Sequence, residues 1–316
     1  MTNFNIRIPG LTLTVVQADG QDVRPVTVDE LQIAVAETYD LIVTPTEDRA
    51  YTLVAETWDR SGMARGRSRP GWAWSRPCPR CAPAAGDDEG YGDGGYGARR
   101  HGGRLFPEHA AMGHCRPDAA PRMDHGQMSH KMRDFANAPG LPRTPVVQTV
   151  APMPVDRTGE PPQGLADVGH RVLTYRDLMS AKVNPDTRTP SRALTIHLTG
   201  NMERYMWAFD GVKLNAVTAP IPFRLGERVR VTLVNDTMMA HPIHLHGHFF
   251  ELVTGHGDHA PRKHTVNVAP GGTATFDLTA DAEGDWAFHC HMLYHMHAGM
   301  MQVVTVRRDA DKGAAV

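Results

Sequence analysis

Short runs in which apolar and polar residues alternate are the main pattern along this chain, and a period of two is typical of half-buried β-strands. Between residues 190 and 308 the plainest runs lie at 193–199, 229–233, 266–268, 273–278, 286–291 and 301–306. They predict about seven short strands, a number typical of a Greek-key β-sandwich. No stretch has the length and period of a long amphipathic helix, so the chain is predicted to be all-β.

Residues 1–61 predict a second, incomplete β-domain ahead of this sandwich. Its β-rich runs lie at 11–16, 31–36 and 51–57, with turn residues between them. This part contains no histidine and no cysteine, so no catalytic or metal site is predicted in it.

The region between the two β-domains has neither period. Residues 62–122 are crowded with Arg, Gly, Pro and Asp, a composition that predicts a disordered segment. A linker over residues 123–189 follows, also expected to be mostly disordered, and a tail over 309–316 ends the chain. The linker begins with a cluster of soft metal ligands: Met123, His125, Met128, His130 and Met132. Because thioether and imidazole groups suit Cu(I), this cluster is a candidate cuprous site.

Charge and composition exclude several classes of function. The 316 residues carry a net charge of -2, from 33 basic and 35 acidic side chains, which argues against a general affinity for nucleic acid or an anionic membrane. No apolar run is long enough to span a bilayer, and the opening residues lack the basic start and apolar core of a signal peptide. The 18 histidines and 16 methionines are unusual, and both side chains are copper ligands.

Two histidine-rich segments in the C-terminal domain, HPIHLHGH (241–248) and HCHMLYHMHAGMM (289–301), carry the candidate chemistry. Residues i and i+2 of a strand point to the same face. His244 and His246 are therefore expected to project together, and so are His289 and His291. Cys290 must then point the opposite way from its two neighbours.

Cys290, His295 and Met300 follow one another in a Cys-x4-His-x4-Met spacing that lets three ligands converge from one loop. His241, on a neighbouring strand, is placed to add a second imidazole. Two histidines, one cysteine and a weak axial methionine are the ligand set of blue copper, whereas zinc usually takes more thiolates or a complete tetrahedral set. The other histidines of this domain are predicted to be surface or supporting residues: His248, His256, His259, His264 and His297. His197 is predicted to be a strand residue that faces outward.

Four sequence segments resemble the bacterial copper-resistance protein A branch of the multicopper oxidases. They are TGNMERYMWAFDG (199–211), VNDTMMAHPIHLHGH (234–248), RKHTVNVAPG (262–271) and HCHMLYHMHAGMM (289–301). Residues 7–43 resemble the middle domain of the same proteins, and the Met/His cluster resembles their copper-rich insert. The resemblance implies a plastocyanin-like, cupredoxin-like sandwich at 190–308, a partial cupredoxin-like domain at 1–61, and location in the periplasm.

The resemblance also implies roles for the site residues. His241, Cys290 and His295 would hold a type 1 copper with Met300 axial; His244 would serve a type 2 copper, and His246, His289 and His291 the type 3 pair. A small donor, a cuprous ion or a phenol, would give electrons to the type 1 copper. Cys290 and the flanking His289 and His291 would pass them on to dioxygen.

The sequence departs from that family in two places. The family's trinuclear cluster takes eight histidines from four His-x-His motifs, and this chain has two such motifs in the right context, so we expect half of the site, with a first domain missing or supplied by a partner chain. Residues 67–122 are the second departure. Family-like codons read with a one-base shift give residues like those at the start of this segment. We hypothesise that a frameshift produced residues 67–122, in which case Cys78, Cys81 and Cys115 result from the wrong reading frame. A genuine insertion is the alternative.

Two other functions stay open at this point. The Met/His cluster with an isolated type 1 site would suit a copper-sequestering protein without catalysis. A non-functional gene fragment is the third possibility. Consumption of dioxygen separates the oxidase from the sequestering protein, and detection of the expressed protein separates both from the fragment.

Overall fold

A computed structural model describes residues 2–68 and 133–308, and nearly all the regular structure in these ranges is β-strand. The N-terminal strands are β1 (Phe4–Arg7), β2 (Leu13–Ala18), β3 (Gln21–Val28), β4 (Glu30–Ile33), β5 (Tyr39–Ile42), β6 (Tyr51–Thr57) and β7 (Met63–Ser68). They form two antiparallel sheets, in the orders β4-β1-β6-β7 and β3-β2-β5. Leu13, Val15, Val28 and Leu31 are fully buried between them.

The N-terminal domain has more strands than the three that the sequence predicts. The run at 51–57 coincides with β6, whereas the runs at 11–16 and 31–36 overlap β2 and β4 with shifted ends. The strands that were missed, such as β3 and β7, carry mostly exposed, polar or small residues, so their period is hidden. Strand β7 also extends the domain to Ser68, into the segment that was expected to be irregular from residue 62.

The C-terminal sandwich contains eleven strands in residues 190–308. They are β9 (Arg192–Asn201), β10 (Met206–Phe209), β11 (Ile221–Arg224), β12 (Arg228–Asn235), β13 (His241–Leu245), β14 (Phe250–Leu252), β15 (Arg262–Lys263), β16 (Thr265–Val268), β17 (Gly272–Thr279), β18 (Gly284–Cys290) and β19 (Met301–Arg307). All six predicted runs lie in strands, except that His291 follows the end of β18, and the predicted strand that carries His241 is β13. The strands that were missed have two to four residues, too few to show a period. One six-residue helix, α1 (Leu293–Ala298), follows β18.

Two sheets enclose the C-terminal core. One has the order β10-β9-β12-β17-β14-β15, and the other has the order β11-β19-β18-β13-β16. Apolar residues that alternate along β12 and β17, such as Val231 and Phe276, are buried between the sheets, and so are Phe209, Phe250 and Phe288. Burial of such side chains, worth roughly 1.5–3 kcal/mol each, is the main source of stability for a sandwich of this size.

The linker differs from the expectation of a disordered connection over residues 133–189. A two-residue strand, β8 (Val155–Asp156), pairs with the start of β17, and Val147 and Val150 are buried in a small core of their own. Leu173 and Leu178 join the core of the N-terminal domain. These apolar linker residues are isolated among prolines and polar residues, so they show no period in the sequence. Each is nevertheless buried in a hydrophobic core.

Several predicted features lie outside the described residues. They are the Met/His cluster (Met123, His125, Met128, His130 and Met132), the cysteines Cys78, Cys81 and Cys115, the tail, and the frameshift hypothesis beyond Ser68. In the described ranges no helix has the length and hydropathy needed to cross a membrane.

A buried ionic cluster joins the two domains. The ammonium group of Lys263 in β15 lies 3.1 Å from Asp19 Oδ2 and 3.3 Å from Glu37 Oε1, and all three side chains are almost fully buried. The rings of Tyr39 and Tyr175 face the same ammonium at 5.0 and 5.7 Å. Removing one partner of such a cluster leaves an uncompensated buried charge, at a typical cost of about 3–5 kcal/mol.

Candidate metal centre

The pairing of β13 with β18 sorts the candidate ligands onto two faces. In this antiparallel pair Ile243 lies opposite Cys290 and His244 lies opposite His289. Residues directly opposite each other share a face of the sheet, and His241 shares the face of Ile243 because it is two residues away. One face therefore carries His241 and Cys290, and the other carries His244 and His289.

His241, Cys290 and His295 form a compact buried group, called the Cys290 cluster below. Cys290 Sγ lies 3.6 Å from His241 Nδ1 and 3.7 Å from His295 Nδ1, and the two nitrogens are 3.1 Å apart. His241 and Cys290 are fully buried, and His295 is 4% exposed. The sulfur and the two ring nitrogens converge on one point.

Helix α1 and the turn after it bring His295 and Met300 back to Cys290. Gly299 ends the helix with φ +130°, and a side chain there would meet Lys213 at about 2.8 Å. The amide of Met300 then donates to the carbonyl of His295 at 3.0 Å, and the amide of Cys290 donates to the carbonyl of Met300 at 3.1 Å. Met300 is fully buried in the same core as Cys290.

Neighbouring side chains hold both imidazoles of the Cys290 cluster. The hydroxyl of Thr237 lies 2.9 Å from Asn235 Oδ1, which takes its one proton, so the hydroxyl accepts from Nε2–H of His241 at 2.7 Å. That leaves the lone pair of His241 on Nδ1, facing Cys290. The ring of His295 stacks on Trp207, with centroids 4.2 Å apart and planes inclined by 19°.

Burial sets the protonation of these groups in the metal-free protein. Desolvation lowers the pKa of His295 to about 4 and that of His241 well below its usual value, so both are neutral imidazoles at neutral pH. Desolvation also raises the pKa of the Cys290 thiol to about 12. A bound cation would reverse that shift, because a coordinating thiol is deprotonated outright.

The donor set fits a metal ion. Metal–nitrogen and metal–sulfur bonds of about 2.0 and 2.3 Å, as in zinc sites, would separate the ligand atoms of one ion by about 3.4–3.8 Å. The observed separations of 3.1, 3.6 and 3.7 Å are close to this range. The donor types favour copper over zinc, since they are two neutral imidazoles, a thiolate and a buried methionine that follows a turn.

Four imidazoles gather on the opposite face, and they are called the four-histidine group below: His244, His246, His289 and His291. Their ring centroids lie between 4.7 and 5.7 Å apart in the five close pairs, and the Nε2 atoms of His246 and His289 are 3.0 Å apart. Among the described residues, the buried Nδ1 of His291 has no hydrogen-bond partner. Converging nitrogens and an orphaned buried one fit a metal-binding surface.

Neutral imidazoles are favoured here too. Burial is the main cause that lowers the pKa of His244 to about 4, and burial also lowers the pKa of His289. His244 Nδ1 lies 2.7 Å from the carbonyl oxygen of His264. Because a carbonyl only accepts, Nδ1 must carry the proton, and Nε2 keeps the lone pair that a metal requires.

The remaining histidines have partners of several kinds. His256 and His259 bond the backbone carbonyls of Arg176 and Ser180, and His297 is exposed. His248 is buried beside Trp286, and the ring of His264 lies edge-on to His244, so these two support the site. His197 is only half-exposed, unlike the outward-facing residue expected, because its Nδ1 pairs with the buried carboxylate of Asp236 at 2.7 Å.

Sequence reasoning missed Trp207 and Thr237, which contact the Cys290 cluster. Trp207 is 88 residues from His295 along the chain, and no periodic pattern connects the two residues. The sequence therefore did not predict that their rings stack. Thr237 precedes His241 by four residues, and only its position in the turn between β12 and β13 brings its hydroxyl to the ring.

Two family models, both described as multicopper oxidase, match this chain, one over residues 1–70 and the other over residues 187–310. The matched segments contain the strands of the two β-domains. The segment at 187–310 contains every residue of the Cys290 cluster and of the four-histidine group. The chain belongs to the multicopper oxidase family, as its motifs predicted.

Curated relatives point to one branch of that family. The copper resistance protein A homolog of Pseudomonas syringae pv. tomato is 46% identical over 311 residues, and copper resistance protein A of Escherichia coli is 43% identical over 333 residues. The alignments cover 97% of this chain, and 52% and 54% of those relatives. The chain therefore spans about half the length of the curated relatives it matches.

Solved structures with the same fold are multicopper oxidases as well. Fet3p, a multicopper oxidase that functions in iron import, superposes with a TM-score of 0.58 at 16% identity, over 100% of this chain and 56% of that one. The laccase from Botrytis aclada gives 0.53 at 16% identity, over 100% and 50%. At such identities the likeness shows the fold alone, and it confirms the all-β, cupredoxin-like architecture.

Proposed function

We propose that this chain is the donor-oxidising part of a multicopper oxidase of copper resistance. The observation that supports it best is the Cys290 cluster, a thiol and two neutral imidazole nitrogens within 4.8 Å of one another in a buried core. Copper bound there would supply one-electron redox chemistry, which the surrounding side chains do not offer.

The proposal gives each ligand a role. Nδ1 of His241, Nδ1 of His295 and the sulfur of Cys290 would hold the type 1 copper, and Met300 would be a further, weak ligand. Nε2 of His244 would serve a type 2 copper. His246, His289 and His291 would serve the type 3 pair.

The chain itself connects the two groups. Cys290 belongs to the Cys290 cluster, and its neighbours His289 and His291 belong to the four-histidine group. One peptide bond on each side of Cys290 therefore joins the two groups covalently. If copper were bound in both groups, this short path would connect the two centres, and this supports Cys290, His289 and His291 as the residues that would connect donor oxidation with reduction of dioxygen.

A small donor, a cuprous ion or a phenol, would approach the Cys290 cluster from one of two sides. A cavity of about 590 Å³ between the N-terminal domain, the linker and the sandwich has Thr237 in its wall, and Thr237 bonds His241. On another side, the exposed rings of Tyr205 and Tyr294 lie against Trp207, which stacks on His295.

These 316 residues supply four histidines to a cluster that takes eight in the family. We propose that further histidines from another domain or chain complete that site. Assignment to the periplasm rests on the family resemblance.

The test is copper loading of the purified chain. The proposal expects a blue absorption band, bleaching of that band by a cuprous or phenolic donor, and slow or absent recovery in air. A folded, copper-loaded chain that stays colourless would refute the Cys290 cluster as a type 1 site. A blue chain that no donor bleaches would favour the copper-sequestering alternative, whereas steady dioxygen consumption would show that the chain completes the cluster by itself or with a second copy.

A further inference from the structure

A carboxylate in a hairpin turn is buried beside the four-histidine group. Asp19 lies between β2 and β3 with φ +50°, followed by Gly20 with φ +71°, the backbone expected of a tight hairpin turn. Turn residues of that kind are usually solvated, yet the Asp19 side chain is fully buried. The turn accounts for the backbone conformation of Asp19, but it does not account for the burial of the Asp19 carboxylate.

The carboxylate of Asp19 accepts hydrogen bonds from three backbone amides. Its Oδ2 accepts from the amide of His264 at 3.1 Å and from the amide of Thr265 at 3.2 Å, and its Oδ1 accepts from the amide of Thr38 at 3.0 Å. The ammonium of Lys263, 3.1 Å from Oδ2, supplies the balancing charge. Asp19 therefore ties the N-terminal domain to residues 263–265 of the sandwich.

Residues 264–265 lie where the chain passes from one sheet to the other, because β15 and β16 belong to different sheets. The amide of Leu245 in β13 donates to the carbonyl of His264 at 3.2 Å, so β13 and Asp19 hold this segment from two sides. The carbonyl of His264 also accepts from His244 Nδ1 at 2.7 Å, and the hydroxyl of Thr265 lies 3.1 Å from the same nitrogen. The position of this short segment decides which nitrogen of His244 carries the proton.

We propose that Asp19 is a positioning residue for His244. By fixing the amides of His264 and Thr265, it holds the carbonyl that selects the Nδ1–H tautomer of His244, and Nε2 is left free for a metal. The inference rests on the proposed function in that it takes His244 as a copper ligand. It goes beyond that function because docking of the N-terminal domain becomes a condition for a metal-competent His244.

Glu37 provides a matched control. It shares the ionic cluster, 3.3 Å from Lys263 Nζ, and it accepts from the hydroxyl of Tyr175 at 2.6 Å and from the amide of Ala34 at 2.9 Å. Its own contacts do not include the amides of His264 and Thr265. Glu37→Gln therefore weakens the same interface without loosening the segment that holds His244.

The experiment is ¹⁵N NMR of the imidazoles in the metal-free full chain, with the His244 signals identified by their loss in His244→Gln. We expect the Nδ1–H tautomer in the wild type and in Glu37→Gln. In Asp19→Asn we expect a mixture with the Nε2–H tautomer, since the amide offers one oxygen where the carboxylate offered two. Titration with Zn²⁺ should show a 10- to 100-fold loss of affinity in Asp19→Asn, the usual effect of removing a group that orients a ligand, and a smaller loss in Glu37→Gln.

An unchanged tautomer in Asp19→Asn, or equal change in both variants, would overturn the proposal. If Asp19→Asn fails to fold because Lys263 is left unpaired, the double variant D19N/K263M is measured in its place, with the same two outcomes. The tautomer is read without copper, so a colourless copper-loaded chain would sink the proposed function and leave this result standing.

Discussion

The Cys290 cluster and the four-histidine group are built from the same two strands, yet they differ in how complete they are. His241 and Cys290 are fully buried, and their ligand atoms lie within 4.8 Å of those of His295. In the other group His246 is exposed and His244 and His291 are only half-buried. A site that faces the core of one sandwich is closed by that sandwich, whereas a site on its outer face needs a second surface to close it.

Alternation along β18 explains why both kinds of site occur together. Cys290 faces inward, so the side chain of His289 must face outward. His291 follows the end of β18, and its ring lies 5.3 Å from that of His289. The inward face takes its other ligands from β13 and α1 of the same domain. The outward face depends on what packs against it, and in the described residues Asp19 of the N-terminal domain, acting through residues 264–265, is one such contribution.

The largest expected effect comes from Cys290→Ser. Thiolate-to-copper charge transfer requires the sulfur, so the blue band should vanish completely while copper binding by the four-histidine group persists. Visible absorption together with copper stoichiometry measures this. His246→Gln is the reciprocal control, and it should keep the blue band and weaken the other site. A blue Cys290→Ser protein would show that the two sites were assigned wrongly.

Gly247→Ala should strongly destabilise the outward face. Gly247 follows His246 with φ +72°, and a Cβ there would lie 2.3 Å from the ring of Trp286. The left-handed backbone costs about 1–2 kcal/mol for a residue with a Cβ, and forcing the clash should add about 1–3 kcal/mol. Urea denaturation measures the total.

Gly226→Ala is the matched control for that clash. Its φ is +79°, and a Cβ would meet nothing within 4 Å, so only the backbone strain is present. Equal losses of stability in the two variants would show that the Trp286 contact relaxes without cost.

Acid should destabilise the metal-free protein through its buried imidazoles. The pKa of His295 and that of His244 are about 4 in the folded chain, below the value of about 6.5 expected when unfolded. The unfolded chain binds more protons between these values, so stability is complete above about pH 6.5 and falls as the pH drops towards 4. Denaturation curves at several pH values check this, and His295→Gln should flatten the dependence. A flat wild-type curve would contradict the assigned burial.

The smallest expected effect is that of Met300→Leu. Leucine has a similar volume and fills the same buried space, so folding should change little. The blue colour should remain, and the reduction potential should rise because the axial ligand tunes it. Redox titration of the copper-loaded variant measures the shift. A loss of colour would mean that Met300 does more than occupy the axial position.

Local pattern was sufficient for much of the fold. Alternation located β12, β16 and β17, and the Cys-x4-His spacing joined Cys290 and His295, whose Sγ and Nδ1 atoms lie 3.7 Å apart. The other strands of two to four residues in the C-terminal sandwich were missed, because a period is hard to recognise in so few positions. The ordered linker escaped as well, since its buried residues are isolated along the chain.

The sequence by itself identified the candidate ligands and predicted which of them share a face. Ligand type and a spacing of two along a strand are local properties, so they are enough to separate Cys290 from His289 and His291. Tertiary structure alone decided the partners that come from far along the chain. Trp207 meets His295, and Asp19 lies 245 positions before His264 and 246 before Thr265. Such contacts depend on how sheets and domains pack, and no periodicity in one segment encodes them.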